Sequence, residues 1–308
     1  MNAPPEPKRS KPLALLVAMR PRQWFKNLWV LAAVVVTGGL RDPIKTRDTL
    51  VTFACFCAIS SAIYLLNDWL DVESDRKHPV KRRRPLAAGD LQGGEALVAA
   101  AVLAIGGILG AFGIIGRSGG FWSVGWVLVG YLVLQLAYNF VLKRMIIVDV
   151  MAIAGGFVLR VLAGGAAINA AISPYLYLST IFLALFQGFA KRRQELQALA
   201  EVAGEHRQSL DDYTIGLLDT FLTISATATI MTYCLYAVTT PYRPVYDSVN
   251  LLLLTVPFVL YAVFRYLYLV RVRGLGGAPE DVLLRDRLFL LDVLAWGLTL
   301  VAILYGLG

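Results

Sequence analysis

Nine long apolar stretches recur along the 308 residues, and they constrain the fold more than any other feature of the chain. Each is roughly 17–25 residues long, the length that an α-helix needs to cross a bilayer. None alternates with the period of two that a membrane β-barrel requires, so helices are left as the way to satisfy the backbone in lipid. The approximate spans are 22–40, 49–70, 95–116, 121–142, 147–168, 174–195, 215–238, 248–270 and 287–307.

Composition supports the same fold class. The chain is 57% hydrophobic and 16% charged, with a mean hydropathy of +0.64, whereas soluble domains carry about 25% charged residues. The net charge of +8 does not indicate nucleic-acid binding, because the charges lie in short connections between apolar segments. The three cysteines have neither disulfide nor zinc-site spacing. We therefore predict an all-α integral membrane protein with about nine transmembrane helices.

Lysine and arginine are divided unevenly between the two sides of this predicted bundle. The N-terminal region and the connections on its side carry 22 of the 29, and the opposite connections carry 5. The other two, Arg160 and Arg265, lie within predicted spans. Basic residues concentrate on the cytoplasmic side, so we expect a cytoplasmic N-terminus and, with nine helices, an external C-terminus in the plasma (inner) membrane. Residues 1–12 are polar and proline-rich and are predicted to be a disordered tail. Residues 13–308 are predicted to form one transmembrane domain.

An acidic stretch follows the second apolar span, at its cytoplasmic end. Asn67 precedes three carboxylates, Asp68, Asp71 and Asp75, spaced i, i+3 and i+7. On a helix this spacing puts the carboxylates on one face, where like charges repel unless a cation neutralises them. Mg²⁺ is the usual cation when a phosphorylated substrate supplies further oxygen ligands. The alternative interpretation is a solvated acidic helix end.

Basic residues follow at once, between residues 76 and 85. Six of them lie in nine positions, interrupted by Pro79. Such a run is often only a positive flank that touches anionic lipid. Directly after three carboxylates, it is better interpreted as an arm that binds phosphate while the carboxylates bind metal.

Two further polar groups are predicted at the cytoplasmic side. Lys191 and Glu195 end the sixth span and, at i and i+4, have the spacing of a simple ion pair. Asp149 lies just inside the fifth span and Arg160 about three turns deeper. Charges at these depths require a partner or a cavity.

The acidic stretch resembles the first aspartate-rich motif, NDxxDxxxD, of the UbiA superfamily of intramembrane prenyltransferases. Members of this superfamily have nine helices around a central cavity open to the cytoplasmic side. Their usual second motif, DxxxD, is replaced here by the sequence Lys-Arg-Arg-Gln-Glu at 191–195. Within the superfamily the chain is most similar to the subgroup that transfers phosphoribosyl to decaprenyl phosphate. The matching segments are 20–27, 64–68, 75–79, 81–85, 135–138, 142–143, 191–196, 225–228, 279–281 and 284–287.

This resemblance implies transfer of 5-phosphoribosyl from 5-phosphoribosyl 1-diphosphate (PRPP) to a polyprenyl (decaprenyl) phosphate, with release of diphosphate, in the synthesis of cell-wall arabinan precursors. It also implies Mg²⁺ held by Asn67, Asp68, Asp71 and Asp75, and a homo-oligomer, such as a trimer. Asn67, Asp68 and Asp71 are the predicted catalytic residues. The predicted phosphate-binding residues are Arg22, Lys26, Lys81, Arg82, Arg84, Tyr138, Lys143, Lys191 and Arg192.

Two other functions remain open from the sequence. One is transfer of a prenyl group from prenyl diphosphate to an aromatic acceptor, which favours a second aspartate pair that this chain lacks. The other is transport, which favours charges at the membrane midplane and access from both sides. The charge-rich connections lie on one side only, and this argues against transport.

Overall fold

The computed structural model describes residues 9–115, 124–201, 213–240, 250–277 and 279–306. Regular structure in these ranges is entirely helical. The α-helices are α1 (Lys11–Ala18), α2 (Ala32–Val36), α3 (Pro43–Leu70), α4 (Val72–Lys77), α5 (Pro85–Ala88), α6 (Gly93–Gly110), α7 (Val124–Phe140), α8 (Val148–Ala167), α9 (Pro174–Glu201), α10 (Ile215–Thr239), α11 (Val256–Val272), α12 (Pro279–Arg285) and α13 (Arg287–Val301).

Six helical segments are long and apolar enough to cross a membrane, which confirms the all-α membrane fold. They are Pro43–Leu70, Gly93–Gly113, Val148–Ala167, Ile215–Thr239, Leu251–Val272 and Arg287–Gly306. Helix α7 is apolar but shorter, and α9 covers the sixth predicted span with a charged C-terminal end. The count of nine spanning helices is not confirmed within the described ranges.

The first predicted span, 22–40, is not one continuous α-helix. Residues Pro21–Leu31 form a 3₁₀ helix, which is followed by the short α2. Polar side chains within the first turns, including Arg22 and Lys26, weaken the apolar pattern of this segment. At the N-terminus, α1 begins at Lys11, so the last two residues of the predicted tail are helical. Residues 1–8 of that tail lie outside the described residues.

Helix α8 is central to the packing. One buried apolar cluster joins it, through Ala163 and Ala167, to α3, α7 and the segment around Val30. A second cluster joins its other end, through Val150, to α9, α10 and α11. Close packing is possible because Gly164 lies directly against the backbone of Val30, where an added Cβ would overlap the carbonyl oxygen.

Contacts along three neighbouring segments fix their relative directions. From Arg20 to Asn27, the 3₁₀ segment contacts α3 at Asp68 and then at Ser60, so the two run antiparallel. From Asn27 to Val30, the same segment contacts α8 at Arg160 and then at Gly164, so these two run parallel. The end of α3 and the beginning of α8 therefore lie at the same end of the bundle.

The two arginines within the spans have different partners. Arg160 donates to the Asn27 side chain at 2.8 Å, the Gly156 carbonyl at 2.8 Å and the Tyr131 hydroxyl at 2.7 Å. Its guanidinium also lies 4.7 Å from the centre of the Tyr131 ring. Its described partners are therefore neutral oxygens and aromatic faces. Arg265 pairs with Asp286 at 2.8 Å.

Candidate active site

The acidic stretch divides its carboxylates between two environments. Helix α3 ends at Leu70, Asp71 caps it, and α4 begins at Val72. Asp68 and Asp75 are each 2% exposed, whereas Asp71 is exposed to solvent. The prediction of one continuous helix is therefore wrong, and the three carboxylates do not share one environment. The interruption at Asp71 turns two carboxylates inward and one outward.

Two arginines hold the buried carboxylates. Arg84 donates to Asp75 at 2.6 Å and to Asp68 at 3.2 Å, and so joins the end of α3 to α4. Arg20 also donates to Asp68, and its guanidinium lies over the Tyr64 ring, 4.8 Å from the centroid. Arg84 thus lies at the acidic stretch, and its predicted binding of phosphate stays a prediction. Arg20 belongs to a segment that carries the family resemblance, but it is not among the predicted site residues.

Arg20 has an unusual backbone conformation. Its φ of 55° lies in the left-handed region, which non-glycine residues rarely adopt. This turn separates α1 from the 3₁₀ helix and directs the side chain to Asp68. Periodicity gives no signal for such a residue. Its position before Pro21 is the local indication of a break in the chain.

The donor set of the acidic stretch suits Mg²⁺ in chemistry. Carboxylate oxygens and the amide oxygen of Asn67, which is partly buried, are the hard ligands that this ion prefers. In the part of the chain that the structure describes, however, no three acidic, histidine or cysteine side chains are grouped closely enough to hold a metal ion. Arginine nitrogens instead lie between the two buried carboxylates.

A second polar cluster joins α7, α8 and α9. Arg192, 1% exposed, donates to Asp149 at 2.6 Å and also pairs with Glu195. Its third contact is the Tyr138 hydroxyl, at 3.1 Å. The predicted partner for Asp149 is thus Arg192. Direct phosphate contact by Arg192 is not supported, because its guanidinium is buried and bonded on three sides.

Tyr213, just before α10, completes this cluster. Its hydroxyl donates to Asp149 at 3.1 Å and accepts from the Ile147 amide at 2.8 Å. Burial raises the pKa of Tyr213 to about 12, so the hydroxyl keeps its proton near neutral pH and remains a donor to Asp149. The cluster lies around the beginning of α8, and therefore at the same end of the bundle as Asp68.

The other predicted phosphate-binding residues differ in exposure. Lys191 is 47% exposed, with its nitrogen 3.9 Å from Glu195, so the simple ion pair expected from the spacing is present but loose. Of the basic run, Arg84 turns inward, while Lys81 and Arg82 face solvent. Arg22 is also exposed, and Lys26, Tyr138 and Lys143 are partly buried.

A helical membrane bundle with an aspartate-rich helix end and a second polar cluster at the same end indicates an intramembrane transferase. The chain belongs to the UbiA prenyltransferase family, whose sequence model matches residues 27–278. The resemblance found in the acidic stretch is thereby confirmed.

Two bacterial relatives place the chain more narrowly within this family. It is 38% identical to the decaprenyl-phosphate phosphoribosyltransferase of Mycobacterium tuberculosis H37Rv over 283 residues, which cover 91% of this chain and 90% of the relative. It is 36% identical to the protein of the same name from Corynebacterium glutamicum over 317 residues, covering 99% of this chain and 90% of that one.

Solved structures confirm the fold. A UbiA homolog from Archaeoglobus fulgidus bound to GPP and Mg²⁺ superposes with a TM-score of 0.70 at 15% identity, covering 94% of this chain and 99% of that chain. A structure of digeranylgeranylglyceryl phosphate synthase gives a TM-score of 0.67 at 16% identity, covering 96% and 99%.

Proposed function

We propose that this protein transfers 5-phosphoribosyl from PRPP to decaprenyl phosphate, or a similar polyprenyl phosphate, and releases diphosphate. The observation that carries this proposal is the match to decaprenyl-phosphate phosphoribosyltransferases along about nine tenths of both chains. The sequence agrees with it, because residues 191–195, three of them basic, stand where prenyltransferases of this superfamily carry a second acidic pair. The product is a precursor for cell-wall arabinan.

The reaction needs little acid–base catalysis. An oxygen of the lipid phosphate, already an anion, forms a bond to ribose C1 while the bond from C1 to the diphosphate oxygen breaks. Positive charge develops on the ribose, as in other glycosyl transfers, and negative charge develops on the leaving diphosphate. Stabilising that negative charge is the main task of the protein.

Cationic side chains of this chain suit that task. Arg84 and Arg20 lie at the buried carboxylates, and Lys191 lies on α9 at the same end of the bundle. We assign diphosphate binding to these three residues and extend the assignment to Lys26 and Lys143, which are partly buried. Arg22, Lys81 and Arg82 are assigned to the approach of phosphate from the cytoplasmic side, because they are exposed.

We also propose that Mg²⁺ is the cofactor. Asp68, Asp71 and Asp75, with the Asn67 amide oxygen, are the residues that would hold it, and the donor chemistry fits. Bound there, Mg²⁺ would neutralise charge on the leaving diphosphate.

The remaining parts of the proposal concern placement in the cell. We propose a multi-pass protein of the plasma (inner) membrane whose N-terminus and active site are cytoplasmic and whose C-terminus is external, with a central cavity open to the cytoplasm. We also propose a homo-oligomer, such as a trimer. The unequal distribution of lysine and arginine supports the orientation, and the family resemblance supports the cavity and the oligomer.

A two-donor assay on purified, lipid-reconstituted protein tests this function. One reaction contains labelled PRPP, Mg²⁺ and decaprenyl phosphate, and the other contains labelled prenyl diphosphate, Mg²⁺ and an aromatic acid. We expect a labelled lipid product only in the first reaction, and its loss with EDTA. Product only in the second would replace the proposal with prenyl transfer to an aromatic acceptor.

A further inference from the structure

The Tyr138 hydroxyl has a proton for which the described residues offer no acceptor. Its oxygen accepts a hydrogen bond from Arg192 at 3.1 Å. A phenol has one proton to donate, and among the described residues none accepts it. A hydroxyl whose oxygen is held by a cation is also a better donor, because hydrogen bonds in a chain polarise one another. Tyr138 is therefore prepared to donate to an acceptor that the described residues do not supply.

Arg192 is itself fixed from the opposite side. Asp149, which is fully buried, binds its Nε, and Glu195 binds one of its terminal nitrogens. The remaining terminal nitrogen is directed at Tyr138. Because the guanidinium is only 1% exposed, Arg192 can reach a substrate only through another residue.

The loop before α8 holds Asp149 in place at a cost in backbone strain. Ile147 has φ 67° and ψ −47°, and the Val148 amide donates to the Ile146 carbonyl at 2.7 Å. This is the rare, strained form of γ-turn, and a β-branched residue is poorly suited to it. Tyr213 binds both the Ile147 amide and Asp149. Strain that persists under such restraint often marks a functional region.

We propose that Arg192 is a positioning residue that directs the Tyr138 hydroxyl proton to an oxygen of the phosphoribosyl diphosphate donor. Asp149 and Tyr213 hold Arg192 in the orientation that this requires. This inference rests on the proposed function, since it takes PRPP as the ligand. It assigns the second cluster to alignment of the donor, with no direct part in binding the lipid.

A double-mutant cycle on the full-length reconstituted protein tests this role. Wild type, Tyr138→Phe, Arg192→Lys and the double variant are compared by kcat and KM for PRPP and for decaprenyl phosphate. Arg193→Lys is the matched control, because Arg193 is also buried but pairs with Asp219 at 2.9 Å. We expect each single variant to lose roughly tenfold in kcat/KM for PRPP, with KM for the lipid unchanged. The double variant should lose no more than either single variant, and Arg193→Lys should resemble wild type.

Three outcomes would overturn the inference. Losses that multiply in the double variant would mean that Arg192 does not act through Tyr138. Equal losses in Arg192→Lys and Arg193→Lys would mean that Arg192 is only structural. A wild type that makes no product from PRPP would overturn the proposed function and this inference together, whereas the first two outcomes leave the proposed function intact.

Discussion

Substitution of Asp71 tests metal binding with less effect on packing than substitution of Asp68 or Asp75. Asp68 and Asp75 are buried and bonded to arginines. Removing Asp68 takes a described partner from both Arg20 and Arg84, and removing Asp75 takes the shorter of two ion pairs from Arg84, so either change should destabilise the protein. Asp71 is exposed at the break between α3 and α4. Loss of its carboxylate should affect chemistry with little effect on folding.

We predict that Asp71→Ala lowers turnover by roughly 100-fold or more, because a ligand of the proposed metal is lost. The thermal midpoint should stay within about 1 °C of wild type, since surface substitutions change stability little. Turnover and thermal unfolding are measured together. Glu73→Gln is the control, since Glu73 is 77% exposed in the same turn and pairs only with Arg76 among its described contacts. Normal turnover in Asp71→Ala would remove this residue from the metal site.

Lys191 is a second exposed charged residue whose substitution can be tested. It lies beside Glu195 on α9, one residue before Arg192, which binds Asp149 of α8. If Lys191 binds the donor diphosphate, Lys191→Ala should raise KM for PRPP about tenfold or more and change KM for decaprenyl phosphate little. Steady-state kinetics with each substrate varied in turn measures this. Equal increases for both substrates would assign Lys191 a structural role.

The acidic stretch can be located from the sequence, but the partner of each charge cannot. Six basic residues follow Asp75, and only the structure shows that Arg84 turns inward. It does so because an extended backbone at Arg84 precedes Pro85, the first residue of α5. The pairing of Arg192 with Asp149 spans 43 positions, beyond the reach of helix periodicity. The sequence consequently predicts that Arg192 binds phosphate, whereas its guanidinium binds protein.

Among the helices, α3 and α8 show how much apolar patterning can predict. The sequence places α8 to within one residue at each end and predicts the last residue of α3, whereas α3 begins six residues before the predicted start because its first turns are polar. The first span is wrong as a continuous helix, because a weakly apolar segment after Pro21 can also form a 3₁₀ helix. Its contact with α8 depends on Gly164, where an added Cβ would overlap the Val30 carbonyl oxygen.

We predict that Gly164→Ala destabilises the protein by roughly 1–3 kcal/mol or more, the usual range for overpacking. The added methyl would overlap the Val30 carbonyl and would separate α8 from the segment that carries Arg20. Gly106→Ala is the matched control. A Cβ added to Gly106, within α6, would have nothing within 4 Å beyond its own helix backbone, so alanine there should be neutral or slightly stabilising. Thermal unfolding in one detergent compares them; equal midpoints would contradict close packing at Gly164.

For the molecule as a whole, the charge distribution makes a topological prediction. Glu73 follows the end of α3 and is 77% exposed, and Arg47 lies near the beginning of α3 and is 63% exposed. A membrane-impermeant maleimide should label Glu73→Cys only from the cytoplasmic side and Arg47→Cys only from outside. The native cysteines Cys55 and Cys57 are buried, and unsubstituted protein gives the background. Reversed labelling would invert the proposed orientation.

The sequence predicts more of the fold than of the function. Helical membrane architecture follows from apolar run length, and the family from a short ordered set of motifs. The identity of the donor and acceptor depends on which cationic side chains contact each substrate. No single segment of the sequence determines this. The chemistry to be tested is therefore transfer of 5-phosphoribosyl to the lipid phosphate with release of diphosphate.

A dual-label assay follows the ribose and the diphosphate in one reaction. Reconstituted protein receives decaprenyl phosphate, Mg²⁺ and PRPP labelled with ¹⁴C in the ribose and ³²P in the diphosphate, and the products are partitioned between butanol and water. We predict that ¹⁴C enters the butanol phase with the lipid while an equal amount of ³²P appears in water as free diphosphate. Both labels entering butanol together, or neither entering, would contradict phosphoribosyl transfer with release of diphosphate.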